Sequence, residues 1–287
     1  MFTRPFGYQR AAGFADACDL LREHGEGAKL IAGGQSLLPM VNLGLVQPDV
    51  VIDISHVAGG RELAAAGGYL TVGALATHAV LAADPLARQV QPLLGAAAAR
   101  IGNARVRHRG TLGGTLAHSD PAAELPLVMV ALGATYTVSN GRATRIVKAE
   151  DFHVTFLTSG LDADELVTSA SLPVLGPGWG WSFQEVSRRD GDFALAAVAA
   201  LVRIAGGMIV ESRVAAGGVS DRPVRLADVE TALSGASPGQ IGERVGPLRG
   251  ISPVTDAGAS ARHRAHLCRV LVLRALQEAS RRSVAAA

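Results

Sequence analysis

The sequence predicts an α+β protein of two or three packed subdomains, and three observations carry that expectation. Helical and strand signals alternate early and then give way to clustered strands. The chain has 287 residues, 48% of them hydrophobic, which is more than one small domain needs for its core. A glycine–proline break, GPGWG at 176–180, divides it late, because it can continue neither a helix nor a strand.

Over 11–24, Phe14, Ala17, Leu20 and Leu21 recur at helical spacing, and Gly25 and Gly27 stop the run. Residues 29–32 read as a buried strand, and 50–55, apolar and β-branched after Pro48, as another. Together these predict a small α/β unit over 1–57. A second, mixed α+β unit over 58–176 holds strand signals at 69–74, 134–147 and 165–174 and a helical run over 85–100. Asn140-Gly141 predicts a two-residue type I′ hairpin turn. The third unit covers 177–287. Its segment FALAAVAALVRIAGG favours helix by alanine propensity, but the glycine pair and the β-rich MIVESRV behind it predict a hairpin. The chain closes on an amphipathic surface helix over 259–282, with Leu267, Leu271 and Leu273 among arginines.

Composition excludes several function classes. A net charge of +2 from 27 basic and 25 acidic residues, with no block of like charge, argues against a polyanion partner. The cluster Arg105, Arg107, His108 and Arg109 lacks interleaved aromatics, so it reads as phosphate-neutralising or subunit-contacting. Two cysteines, Cys18 and Cys268, with no CxxC, make neither a disulfide framework nor an iron–sulfur or zinc site, and point to a reducing cytoplasm. The N-terminal stretch lacks the apolar centre of a secretory signal, and no apolar run approaches the roughly 18 residues of a membrane span. His118, Ser119 and Asp120 resemble a hydrolase triad only superficially, since adjacent residues cannot stack in relay geometry and no GxSxG accompanies them. His263 and His266 stand three apart on the last helix without a third metal ligand, so no metal is predicted.

Glycine makes up 34 of the 287 residues and forms six Gly-Gly pairs, so most pairs are ordinary turns. Two differ in context. Gly33-Gly34 follows an apolar strand and precedes Gln35, Ser36 and a helix start, an arrangement in which backbone N–H groups converge on an anion. Gly113-Gly114 lies between Thr111 and Thr115, whose hydroxyls can donate to phosphate oxygens, just after the basic cluster. Two such loops suit two linked phosphates. A P-loop is excluded, because Lys29 and Lys148 are the only lysines and GxxxxGK[ST] is absent. The dinucleotide fingerprint GxGxxG is also absent, Leu30 standing where its third glycine would fall after Gly25 and Gly27.

The segments AGGQSLLPMVNLGLVQPDVVIDIS, IGNARVRHRGTLGGTLAHSDPAAELP and FQEVSRRDGDFALAAVA, in this order and spacing, resemble the FAD-binding medium subunit of the molybdenum hydroxylases, the group containing carbon monoxide, nicotine and xanthine dehydrogenases. The resemblance spans nearly the whole chain. It implies two subdomains clasping FAD, similar to the vanillyl-alcohol-oxidase (PCMH) type, then a small C-terminal domain with a three-stranded antiparallel sheet and helices. It further implies that Ala32, Gly33, Gly34, Gln35, Ser36 and Leu37, with Thr111, Gly113, Gly114 and Thr115, wrap the pyrophosphate through backbone N–H groups and hydroxyls. Ile101 would lie by the flavin, Asp120 and Glu124 on the ribityl and adenosine side, Leu166 at a backbone contact to adenine, and Phe193 near the isoalloxazine. Molybdopterin and 2Fe-2S clusters would sit on large and small partner subunits, in a dimer of heterotrimers, and no side chain here would be a general acid or base.

Two positions depart from the family pattern. Thr115 stands where asparagine is common, and Gln184-Glu185 where many relatives carry a lysine, which predicts a field less favourable to anionic reduced flavin. Two other functions fit the residues: a free-standing FAD-dependent reductase of the same fold, and a non-catalytic nucleotide-binding module.

Overall fold

The computed structural model describes residues 4–285. Its first unit is β1 (Gly7–Arg10), α1 (Phe14–His24), β2 (Ala28–Ile31), α2 (Leu37–Asn42) and β3 (Val50–Asp53), with a parallel sheet in the order β1-β3-β2. Its second holds β4 (Leu63–Ala66), β5 (Tyr69–Gly73), α3 (His78–Ala83), α4 (Pro85–Val90), α5 (Pro92–Ala98), α6 (Ala104–Arg109), α7 (Leu112–His118), α8 (Glu124–Leu132), β6 (Thr135–Ser139), β7 (Thr144–Lys148), α9 (Ala149–Phe152), β8 (His153–Thr155), β9 (Thr158–Ser159) and β10 (Leu166–Pro173). Five of these strands form an antiparallel sheet in the order β4-β5-β10-β6-β7. The last unit comprises β11 (Trp179–Val186), β12 (Ala196–Ala205), β13 (Met208–Gly217), β14 (Val224–Arg225), α10 (Ala227–Leu233), α11 (Ile241–Arg244) and α12 (Ala261–Ala285). Among the described residues no helix is long and apolar enough to cross a membrane.

The expected mixed helix–strand architecture is present, with one correction: the C-terminal sheet has four strands, β11-β12-β13-β14, not three. Its added strand spans only Val224–Arg225, too short for a periodic signal, and pairs with Ala215 and Ala216. The alanine-rich segment is the hairpin β12–β13, turning at Gly206 and Gly207, whose φ values of 57° and 77° give the geometry a two-residue turn needs. The Asn140-Gly141 hairpin exists, but its loop has four residues, Ser139 pairing with Thr144. Asn140 does not take positive φ. Its side chain instead accepts from the amides of Arg142 and Ala143 at 3.1 and 2.9 Å, an Asx closure that competes with the type I′ turn. The run over 85–100 is two helices, because Pro92 lacks the N–H to continue α4 and starts α5 instead.

The sheet faces explain the packing. On β12, Ala197, Ala199 and Leu201 face one apolar cluster while Ala196, Val198, Ala200 and Val202 face another, the period of two expected of a strand. The first cluster contains α8, all nine residues of which are buried between the five-stranded and four-stranded sheets. A helix apolar on every side is stable only when enclosed in this way. The second cluster is closed by Cys268, Leu271, Val272, Ala275, Leu276 and Ala279 of α12, so the last helix covers the sheet with a full stripe. Leu273 is only half-buried at its edge. The first unit has its own small core around Ala17, Cys18, Ile52 and Leu75, which also takes in Leu166 from β10.

Candidate functional site

At the end of β2 the chain leaves the parallel sheet through Gly33 and Gly34 and enters α2. Gly34 has φ +71°, a conformation that side chains with a β-carbon rarely take. The amides of Gly33, Gly34, Gln35, Ser36 and Leu37 donate to no acceptor among the described residues, although the carbonyls of Gly34 and Ser36 accept from Leu38 and Met40 at 3.1 and 3.2 Å. A run of free N–H groups through a tight bend is a nest for anionic oxygens. Gln35 reaches back to the Gly33 carbonyl at 3.2 Å and braces the bend.

The Arg109–Gly110 turn between α6 and α7 lies directly against the first bend, whereas Gly113 and Gly114, read from the sequence as a second bend, form the first turn of α7. A β-carbon on Gly33 would overlap the Arg109 carbonyl oxygen and stand 2.9 Å from Gly110 Cα, so the two loops touch backbone to backbone. Here the amides already have partners. Leu112 and Gly113 donate to the carbonyls of Ala76 and Ala74 at 2.9 and 2.7 Å, Thr115 donates to Thr111 O at 3.1 Å, and Gly114 N reaches Thr111 Oγ1 at 3.2 Å. Thr111 is thus the N-cap of α7. The sequence suggested amides from both bends; the structure offers free amides at the first, and at the second the hydroxyls of Thr111 and Thr115. Gly113 is buried, and a β-carbon there would meet Ala74 Cβ at 2.6 Å, whereas Gly114 faces outward.

His78, which sequence reading missed, backs the second bend. It is 4% exposed, a β-carbon on Gly110 would stand 2.7 Å from its Nε2, and its Nδ1 has no partner among the described residues. Burial pushes its pKa down to about 4, so the ring is neutral.

Ile101 is half-buried after α5, and Arg107 Nη1 holds its carbonyl and that of Gly102, each at 2.9 Å. The loop carrying Phe193 folds onto the same turn: a β-carbon on Gly191 would approach the Gly102 oxygen to 3.0 Å. Phe193 itself is 63% exposed, not a core residue. Asp120 closes the turn before α8, accepting from Ala122 N at 2.8 Å, and Glu124 opens α8. Burial raises the Glu124 pKa to about 8, with Glu185 and Asp120 adding to the rise and Arg100 opposing it. Glu185, whose pKa is raised mainly by burial, has one oxygen, Oε2, buried without a partner among the described residues. Leu166 is buried at the start of β10, in the cluster that Ala32 edges.

The superficial triad does not assemble. Ser119 turns away from its neighbours and meets His153 Nδ1 at 2.7 Å, with both residues 1% exposed and out of reach of any substrate. His263 and His266 are exposed on α12, and Arg105, His108 and Arg109 project from α6 beside the second bend.

Residues 4–175 match the family described as the FAD binding domain in molybdopterin dehydrogenase, and residues 181–279 the CO dehydrogenase flavoprotein C-terminal domain. The chain is 38% identical over 280 residues to the nicotine 6-hydroxylase medium subunit of Paenarthrobacter nicotinovorans, covering 96% of this chain and 98% of that one. It is 29% identical over 287 residues to the carbon monoxide dehydrogenase medium chain of Afipia carboxidovorans, covering 99% of each. In three dimensions it superimposes on carbon monoxide dehydrogenase from Hydrogenophaga pseudoflava with a TM-score of 0.94 at 30% identity, covering 98% and 99% of the two chains. Quinoline 2-oxidoreductase from Pseudomonas putida 86 gives 0.91 at 32% identity, with the same coverage.

Proposed function

The chain belongs to the family of FAD-binding domains in molybdopterin dehydrogenases, and from that premise we propose that it is the electron outlet of a molybdenum hydroxylase, taking electrons from 2Fe-2S clusters of a small subunit and passing them to an external acceptor. A large subunit would carry the molybdopterin, in a dimer of heterotrimers, and the free, buried Cys18 and Cys268 suit a reducing cytoplasm. The observation that carries the reading is the row of amides from Gly33 to Leu37, without acceptors among the described residues, pressed against the Arg109–Gly110 turn ahead of α7. FAD supplies one-electron and two-electron chemistry, which suits a junction between clusters and a two-electron acceptor.

The protein's own work is binding and electrostatics. The first bend would cradle the pyrophosphate with Ala32 at its edge, and Thr111 and Thr115 would add hydroxyl donors from the second. Asp120 and Glu124 would take the ribityl and adenosine hydroxyls. Ile101 and Phe193 would border the flavin, and the Leu166 backbone the adenine. A neutral Glu124 can donate as well as accept a hydrogen bond, which a carboxylate cannot.

The test is to purify the chain under native conditions and ask what accompanies it. We expect the visible bands of oxidised flavin and copurifying iron–sulfur and molybdopterin subunits. Removal of FAD should abolish acceptor reduction while the clusters remain reducible, and FAD should restore it. A yellow chain that purifies alone and reduces an acceptor with its own donor would establish the free-standing reductase. A chain that stays colourless after incubation with FAD would establish the non-catalytic module.

Glu185 gives a second expectation. Its carboxylate disfavours added negative charge, but burial keeps it protonated to higher pH than an ordinary glutamate, so its influence is pH-dependent. Glu185→Gln should match the parent potential at low pH and exceed it at higher pH, while Glu185→Lys should raise it by about 30 mV at low pH, a tenfold shift in a two-electron equilibrium, and by more at higher pH where the parent carboxylate is charged. Spectroelectrochemical titration across pH measures this, and identical potentials in all three proteins would remove Glu185 from the flavin's field.

A further inference from the structure

We infer that the buried hydrogen-bonded chain Ser119–His153–Tyr136 is a positioning device for the FAD seat: it locks a left-handed turn from which the second glycine bend and the acid pair Asp120 and Glu124 both take their places.

Ser119 is the C-cap of α7 with φ 55° and ψ 38°, a conformation that costs a residue with a β-carbon energy relative to glycine. Only Leu157 shares positive φ among the described non-glycine residues. Something must hold it. Ser119 Oγ lies 2.7 Å from His153 Nδ1, and His153 Nε2 lies 3.4 Å from the Tyr136 hydroxyl. Tyr136 is fully buried and its hydroxyl meets no other partner among the described residues. A neutral imidazole donates through one ring nitrogen and accepts through the other, so His153 serves both hydroxyls at once. Burial, which pushes the His153 pKa down to about 4, keeps the ring neutral. Phe152 packs edge-on against both rings, at centroid distances of 4.8 Å from Tyr136 and 5.3 Å from His153, and prevents them from turning.

The lock sits at a junction. Helix α7 has seven residues, so about 10 Å separates its ends. Its first turn carries Gly113, Gly114 and Thr115, and its last residue adjoins Ser119. One residue beyond lies Asp120, whose carbonyl accepts from Ala123 N at 3.1 Å, and Glu124 follows at the start of α8. Pinning Ser119 to β8 therefore fixes a helix that bears one wall of the seat and the turn that bears another. This inference rests on the proposed role of those segments in holding FAD.

The test titrates FAD into the deflavo-complex and records the visible circular dichroism of the bound flavin, for the parent, Ser119→Ala, Ser119→Gly and Glu124→Gln. Alanine keeps the strained φ and loses the tie, and is expected to weaken FAD binding about tenfold and alter the flavin dichroism. Glycine also loses the tie but adopts the turn freely, and should return to within about threefold of the parent. Equal weakening by alanine and glycine overturns the inference, since the turn would then not be what the tie protects. So does parent-like binding by alanine while Glu124→Gln binds weakly. If neither Ser119→Ala nor Glu124→Gln changes binding or dichroism, the assignment of the acid pair to FAD fails, and this inference with it. Should Ser119→Ala not assemble, Tyr136→Phe, which removes only the outer link, is expected to weaken binding in the same direction, and parent-like binding overturns the inference.

Discussion

Gly33→Ala is expected to give a folded chain that assembles but no longer retains FAD. The backbone at Gly33 is not in the left-handed region, so the residue itself tolerates a side chain; the conflict lies across the seam. The new β-carbon would overlap the Arg109 carbonyl oxygen and stand 2.9 Å from Gly110 Cα, and both neighbours are main chain that cannot rotate away. One bend has to retreat by about 1 Å, because carbon and carbonyl oxygen do not pack closer than roughly 3 Å. That displacement separates the free amides of the first bend from the hydroxyls of the second. A diphosphate held from two sides would be held from one, and a loss of about a hundredfold in FAD affinity follows if two charge-assisted hydrogen bonds are broken. Two controls isolate the cause. Gly34→Ala adds backbone strain at φ +71° with only side-chain neighbours, the Ile31 and Leu38 methyls at 3.1 Å, and should cost less. Gly67→Ala adds similar strain with nothing within 4 Å, and should leave binding unchanged. FAD titration of the deflavo-complex gives the affinities, and a Gly33→Ala affinity within about threefold of the parent would defeat the two-bend seat.

Acid should destabilise the protein well before its ordinary carboxylates protonate. His78 and His153 are buried and neutral, with pKa values pushed from 6.5 to about 4. Between those two values the unfolded chain binds a proton at each histidine and the folded chain does not. Stability therefore falls as pH drops through that window, by about 3 kcal/mol for each histidine once pH is below the folded value. Glu124 acts at the other end. With its pKa raised from 4.5 to about 8, the folded chain keeps a proton that the unfolded chain has released, so its contribution falls as pH rises through that interval. The three groups together place the stability maximum near the ordinary histidine value, with slopes of similar size on its two sides, because Glu124 offsets one of the two histidines below it and acts alone above it. Urea unfolding at a series of pH values measures this, and His78→Gln should remove about half of the histidine slope. A stability that falls as pH rises from about 4.5 to 6.5 would show that neither imidazole is held neutral, since Glu124 would then act alone.

The fold was legible where local chemistry agrees with tertiary demand. The helix at α1, the strands β2, β3, β5 and β10 and the Gly206-Gly207 hairpin all stand where periodicity and turn residues put them. It was not legible where partners far along the chain decide. The turn at Asn140 is set by its own side chain and by Arg22, which donates to the Asn140 carbonyl at 2.7 Å from α1. Helix α8 carries no amphipathic signal because it is enclosed on every side. At the site, the two glycine pairs were visible by context, whereas His78 and His153 had no signal at all. A lone histidine reads as polar surface until burial and a partner identify it.

By itself the sequence determined α1, the strands β2, β3, β5 and β10, the β12–β13 hairpin and the last helix, the absence of a P-loop and of a dinucleotide fingerprint, and two glycine pairs flanked by small hydroxyl residues. Those follow from residue type and spacing, which local sterics and hydrogen bonding translate directly into backbone shape. Only the tertiary structure decided that the first bend touches the Arg109–Gly110 turn, that the first pair has its amides free while the second, at the start of α7, has used them internally, and that Ser119 bonds to His153 and not to its neighbours in the triad-like run. Whether an amide or hydroxyl is free depends on which distant acceptor the fold brings within 3 Å or so, and no local pattern encodes that.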